Sequence, residues 1–173
     1  MGTMIIIDAD ILSIFAKVDA VDILKEFLGE ERVAMTPAIR DEISIPLQYG
    51  YEFPKAVLSQ IPVVPLTGQA WQEYEGLRAK GFSLGKGELE AIAFCKAEKA
   101  LFATNDSAAR KFAQEHGVQV ISLQALLRGL WQSGIRSKAE VRELLEHIKE
   151  ADYLEVPTEV EVEIFEEILE SIQ

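Results

Sequence analysis

MIIIDADIL, residues 4–12, and LFATND, residues 101–106, share one design: a short apolar run that ends in, or runs straight into, an acid. A run such as Met4 to Ile7 is too short for a helix and suits a strand buried on both faces of a parallel sheet. Asp8 then stands at the carboxyl end of that strand, and Asp106 follows the strand Leu101 to Ala103. An ionised Asp8 directly behind a buried strand has little structural reason to be there, and Asp106 follows the same logic while also suiting the N-cap of the next helix, a role compatible with ligation, so both are candidate functional residues.

Working outward, apolar residues from Ile11 to Leu28 recur at helical spacing and predict one or two helices stopping at Gly29. Arg32 to Met35 reads as a second strand. Thr36 is expected to cap a helix with Pro37 in its first turn, placing Glu42 one to two turns in. Residues 55–60 look helical, and Val63 to Leu66, between prolines, reads as an edge strand. Trp71, Tyr74 and Leu77 predict a helix ending near Gly81, followed by LGKGELEAIAF, a glycine-rich entry into a helix bearing Glu88 and Glu90. The helix after Asp106 closes at Gly117, and Val118 to Ile121 is the last expected strand. This βα alternation predicts an α/β domain with a central, mostly parallel sheet and helices on both faces, spanning residues 1–134. Residues 135–173 are expected to add two amphipathic helices, 138–149 and 158–171, packed on the domain or paired with a second copy.

The composition suits one globular unit: 173 residues, 49% hydrophobic and 27% charged. No signal-like start and no run of membrane-spanning length is evident, so a cytoplasmic protein is expected. The single cysteine, Cys95, removes disulfide and thiolate-zinc readings, and His116 and His147 lie in polar helical settings that suit surface or capping roles. The net charge of −12 is uneven. Residues 135–173 hold 12 acids against 4 bases, leaving 17 against 13 for residues 1–134. Setting aside Asp8, Glu42, Glu88, Glu90 and Asp106 takes that remainder to +1, so the body is nearly neutral apart from a possible acidic site.

In an open parallel sheet the strand ends and the following helix starts crowd one edge, so these distant acids can converge. Two unit charges ~4 Å apart repel by about 4 kcal/mol at an effective dielectric of 20, and a hard divalent cation is the natural relief. Carboxylates alone suffice for metal-assisted hydrolysis of a phosphodiester. Glu88 and Glu90 stand about 200° apart around a helix axis and cannot both point one way. Glu90, beside Ala91, Ile92 and Ala93, is the preferred inward ligand, with Glu88 next, while Asp10 either reaches the site or caps the first helix. Asn105 serves its turn or lines the site. Lys80, Lys86, Arg110 and Lys111 flank these acids and are candidate phosphate contacts.

Taken in order, IIIDADIL, TPAIRDEI, LGKGELEAIAFCKA and LFATNDSAARKFAQEHGVQVI resemble the PIN-domain nucleases, and the long helical tail resembles the prokaryotic subgroup related to VapC toxins. The resemblance covers about residues 4–134. It implies a three-layer PIN-like fold and an endoribonuclease that uses Mg2+ or Mn2+ and metal-activated water, with Asp8, Glu42, Glu90 and Asp106 as the acidic constellation and Glu88 as a further ligand. It also implies an RNA substrate, a homodimer and inhibition by a small antitoxin. Two other readings compete. The Asp8-Ala9-Asp10 spacing resembles haloacid-dehalogenase-type phosphatases, although Glu42 and Glu88 would then have no role. A catalytically silent PIN-like scaffold would bind a protein partner through its acidic helices.

Overall fold

Ile5–Ile7 form β1, and all three residues are buried because the strand lies inside the sheet with a neighbour on each side. The computed structural model describes residues 2–80 and 83–167. In it β2 (Val33–Ala34), β3 (Leu101–Ala103) and β4 (Val120–Ile121) complete a four-stranded sheet of order β2-β1-β3-β4, parallel throughout. The chain goes from β1 to one side for β2 and returns to the other side for β3. The strand order therefore reverses between β1 and β3, where open α/β sheets form a crevice beyond their carboxyl ends.

The expected edge strand at 63–66 shrinks to a single parallel bridge between Met35 and Val63. Met35 donates to the Pro62 carbonyl and Val64 to the Met35 carbonyl, at 3.0 and 2.8 Å. Pro62 and Pro65 have no N–H to offer, so the ladder cannot lengthen.

Among the described residues ten α-helices surround the sheet, giving the three-layer α/β fold. They are α1 (Ala9–Lys17), α2 (Val21–Leu28), α3 (Pro37–Ser44), α4 (Pro54–Gln60), α5 (Gly68–Arg78), α6 (Lys86–Glu98), α7 (Ser107–Glu115), α8 (Leu123–Gln132), α9 (Lys138–Asp152) and α10 (Thr158–Phe165). Helix α6 is the most deeply set, with Leu89 through Cys95 all buried. Its alanines at 91 and 93 let it pack against β1, β3, α3 and α5 together. None of the described helices is long and apolar enough to cross a membrane.

The C-terminal helices share this core. Val141, Leu144, Leu145 and Ile148 of α9 join the same buried cluster as the sheet, and α9 lies on α1 and α8. Lys17 of α1 meets Asp152 at 2.6 Å. Helix α10 is fastened to α8 by the Trp131 indole, which donates to the Ile164 carbonyl at 2.8 Å, and by Arg128, which donates to the carbonyls of Glu163 and Glu166. The expected helix at 158–171 is seen to Phe165; Ile168, Leu169 and Ile172 of its apolar stripe lie outside the described residues. Where α8 meets α2, a Cβ on Gly129 would stand 2.2 Å from Phe27 Cζ, so only glycine admits that approach.

Candidate active site

The register of β1 on β3 sets the site. Ile7 pairs with Ala103, and the Asp8 N–H donates to the Ala103 carbonyl at 3.0 Å. The next residue on each strand then leaves the sheet side by side, and the Thr104 hydroxyl donates to Asp8 Oδ2 at 2.5 Å. The other oxygen of Asp8 accepts the Ile11 N–H at 2.8 Å, making Asp8 the N-cap of α1. Asp106 repeats the device on α7, where Oδ1 accepts the Ala109 N–H at 2.8 Å. Its own N–H rests on Thr104 Oγ1 at 3.2 Å, so one threonine touches both acids. Each carboxylate thus caps the N-terminus of the helix that follows its strand.

Glu42 of α3 and Glu88 of α6 close the opposite wall. A cleft of about 250 Å3 is lined by Asp8, Asp10, Glu42, Glu88, Asn105 and Asp106, with Ala9, Ile39 and Gly87 between them. A Cβ on Gly87 would lie 2.7 Å from Glu42 Oε1 and 3.2 Å from Ile39, so glycine here gives the Glu42 carboxylate its place. Glu88 Oε2 accepts the Gly85 N–H at 3.1 Å and caps its own helix, and the residue lines the cleft.

Glu90 is placed elsewhere. It is inward-facing and only 5% exposed, but it does not line the cleft. Its Oε1 accepts the Ala38 N–H at 2.9 Å, at the N-terminus of α3. The hydroxyl of Thr36, expected to cap that helix, is buried without a partner and makes no cap bond. Glu90 therefore does the capping that was assigned to Thr36, and it ties α6 to the helix that carries Glu42. Of the two glutamates, Glu88 belongs to the cleft. Both side chains are partly or wholly buried, so periodicity alone could not separate an inward acid at a cleft from one at a helix end.

The cleft holds charge poorly. Burial pushes Asp8 up from an ordinary 3.8 to about 7, despite hydrogen bonds from Thr104 and Ile11, and the charges of Asp10 and Glu88 add to the rise. Burial also raises Asp10, with Asp152 and Asp106 adding and Lys17 opposing. Glu42 is raised by burial against the pull of the Gly87 N–H, and Glu88 by burial with help from Asp106 and Glu42. Lysines at 80, 86 and 111 line no part of this cleft, and Arg110 lines its neighbour instead. All of the charged ligands on offer are carboxylates, with an amide at Asn105, which is the hard oxygen donor set of Mg2+, Mn2+ or Ca2+. Among the described residues no three acids already stand at the spacing of a closed metal site. The fit to a divalent ion rests on the chemistry of these oxygen donors.

Thr104 was not singled out from sequence, although it follows the strand in the position opposite Asp8. Asp10 and Asn105 were left with open roles, and both line the cleft. His116 accepts no such role: its Nδ1 lies 2.8 Å from the Phe112 carbonyl at the end of α7.

With this geometry in place, the relationship to known proteins is informative. The profile of the PIN domain family matches residues 4–170, and the chain belongs to that family, whose members are generally nucleases dependent on divalent metal ions. The match runs past residue 134 and takes in α9 and α10. Comparison with curated proteins returns no match.

Proposed function

We propose that this chain is an endoribonuclease that hydrolyses RNA phosphodiesters with Mg2+ or Mn2+, using Asp8, Glu42, Glu88 and Asp106 to hold the ion and Asp10 and Asn105 to complete the cleft. The observation that carries this reading is the convergence of these acids at the β1/β3 switch point, where burial raises the pKa of Asp8, Glu42 and Glu88. Glu88 takes the role first expected of Glu90. Asp8, Glu42, Glu88 and Asp106 would hold the divalent ion, which would supply Lewis acidity for hydrolysis.

The chain's own residues prepare that chemistry. Thr104 and the Ile11 N–H orient both oxygens of Asp8, and the Ala109 N–H orients Asp106 while leaving Oδ2 available. Glu90 fixes α3 against α6, and so fixes Glu42 relative to Glu88. The family match lends nothing to a phosphatase reading built on Asp8 and Asp10.

The test is cleavage of a fluorescent single-stranded RNA with Mg2+ or Mn2+, beside Asp8→Asn, Asp106→Asn and a chelator control. Cleavage lost in all three supports the proposal; cleavage that persists in both variants marks a contaminating nuclease and overturns it. The resemblance to VapC toxins extends the proposal to a homodimeric, cytoplasmic toxin held by a small antitoxin. Growth arrest on expression, relieved by Asp8→Asn, is the corresponding outcome in cells.

A further inference from the structure

Beside the acid cleft lies a second cavity of about 230 Å3, and Asn105 lines both. Its floor is apolar, formed by Leu127 of α8, Leu145 of α9 and Val160 and Ile164 of α10, with the 154–157 loop along one side. Its polar groups are Arg110, Ser122, Gln124 and Glu155. Arg110 is half-buried, and its guanidinium has no ion-pair partner or hydrogen bond among the described residues, which is an unusual setting for a guanidinium in so acidic a protein. The cavity is rigidly framed: Trp131 and Arg128 hold α10 against α8, and Gln124 donates to Glu163 at 2.6 Å. Tyr153, at 92% exposed, stands at the head of the loop that forms the side wall.

We infer that this cavity receives a nucleobase of the single-stranded RNA whose phosphodiester lies in the acid cleft, so that the C-terminal extension builds one wall of a base-selecting subsite. The inference rests on the nuclease reading of the cleft and deepens it. The volume falls below the ~300–1,000 Å3 of drug-sized ligand sites and suits a single planar ring system. Aliphatic walls accept the faces of a base, while Arg110, Gln124 and Glu155 offer both donors and acceptors to its edge. The shared Asn105 places the base next to the acids, as a neighbouring nucleotide requires. A single cation beside an apolar slot also answers how an acidic protein grips RNA: ring burial and one guanidinium take over from a broad basic surface.

The experiment uses the full chain carrying Asp8→Asn, with chelator present so that nothing is cut, and reads binding of a short single-stranded RNA by fluorescence anisotropy. An abasic nucleotide is moved along the oligonucleotide one position at a time. The expected result is a loss of affinity of about 10-fold at one position, where the polar groups of the cavity lose their base partner, and little elsewhere. Arg110→Ala, on a helix surface, and Val160→Trp, which fills the cavity, should each weaken the intact RNA and abolish that position dependence. Uniform tolerance of abasic positions, or intact binding by both variants, overturns the inference. Cleavage by the wild-type chain is scored separately: position-dependent binding without cleavage sinks the nuclease reading and leaves the subsite, whereas cleavage with uniform abasic tolerance does the reverse.

Discussion

The cleft and the C-terminal extension are both rich in carboxylates and treat them in opposite ways. In the extension, Glu146 and Glu161 both reach Lys149, at 3.0 and 2.8 Å, and Asp152 reaches Lys17. Glu140 answers Ser137 in a reciprocal cap that lowers its pKa, and Lys149 is raised by its two glutamates. These charges are paired with opposite charges or with helix-end N–H groups. In the cleft, Asp8, Asp10, Glu42 and Glu88 are all raised, with burial as the leading cause. Net charge therefore says little about where acids converge: in the extension they meet cations, whereas in the cleft they meet one another.

The hardest test of that contrast is the removal of a cleft acid. Asp8→Asn or Asp106→Asn should lower RNA cleavage by more than the ~10–100-fold typical of groups that only orient metal ligands. A rate within a few fold of wild type would mean that the cleft is no more reactive than the extension.

A second test uses pH. The folded pKa of Asp8, about 7, lies above its ordinary 3.8, so the fold favours the protonated acid. Its stabilising contribution is present below about pH 4 and is lost as pH rises to about 7, a difference of about 4 kcal/mol at ~1.36 kcal/mol per unit. Thermal unfolding of metal-free protein should therefore show stability falling across that window, with Asp8→Asn flattening the fall. Adding Mg2+ or Mn2+ above pH 7 should restore stability in the wild type alone. A fall that Asp8→Asn leaves unchanged would assign it to other groups.

Sharper still is the division within α6. Glu88→Gln should weaken metal binding measured by calorimetry and leave unfolding nearly unchanged. Glu90→Ala should cost about 0.5–2 kcal/mol of stability as a lost cap, with Glu90→Gln recovering most of it by keeping an acceptor for Ala38. The reverse pattern would return the ligand role to Glu90. Thr104→Val should reduce metal affinity about 10-fold, because Asp8 would lose the donor that orients it and opposes its raised pKa. Smallest of all, Glu146→Gln in the extension should change stability by under ~0.5 kcal/mol and activity not at all, as expected of an exposed ion pair.

Much of the architecture was legible because it is local. Ile5–Ile7 can hardly be anything but a buried strand, Gly29 ends α2 with a φ of +102°, and the amphipathic spacing after Gly134 marks α9. The edge at Val63 was overestimated because its pattern is strand-like while its prolines limit pairing to one bridge. The roles of Glu88 and Glu90 were not legible. Both are glutamates on one helix, and what separates them is contact with α3, more than forty residues earlier in the chain.

By itself, the sequence determined the alternation of strands and helices, the placement of Asp8 and Asp106 at strand ends, and hence a crevice lined by acids, because these follow from periodicity and from where strands stop. Only the tertiary structure decided which acids share that crevice, that Thr104 bridges Asp8 and Asp106, and that Glu90 serves a helix end. It also set a cavity against α9 and α10 beside the acids. The physical reason is that burial, repulsion and hydrogen bonding between residues far apart in the chain exist only once the sheet has brought them together.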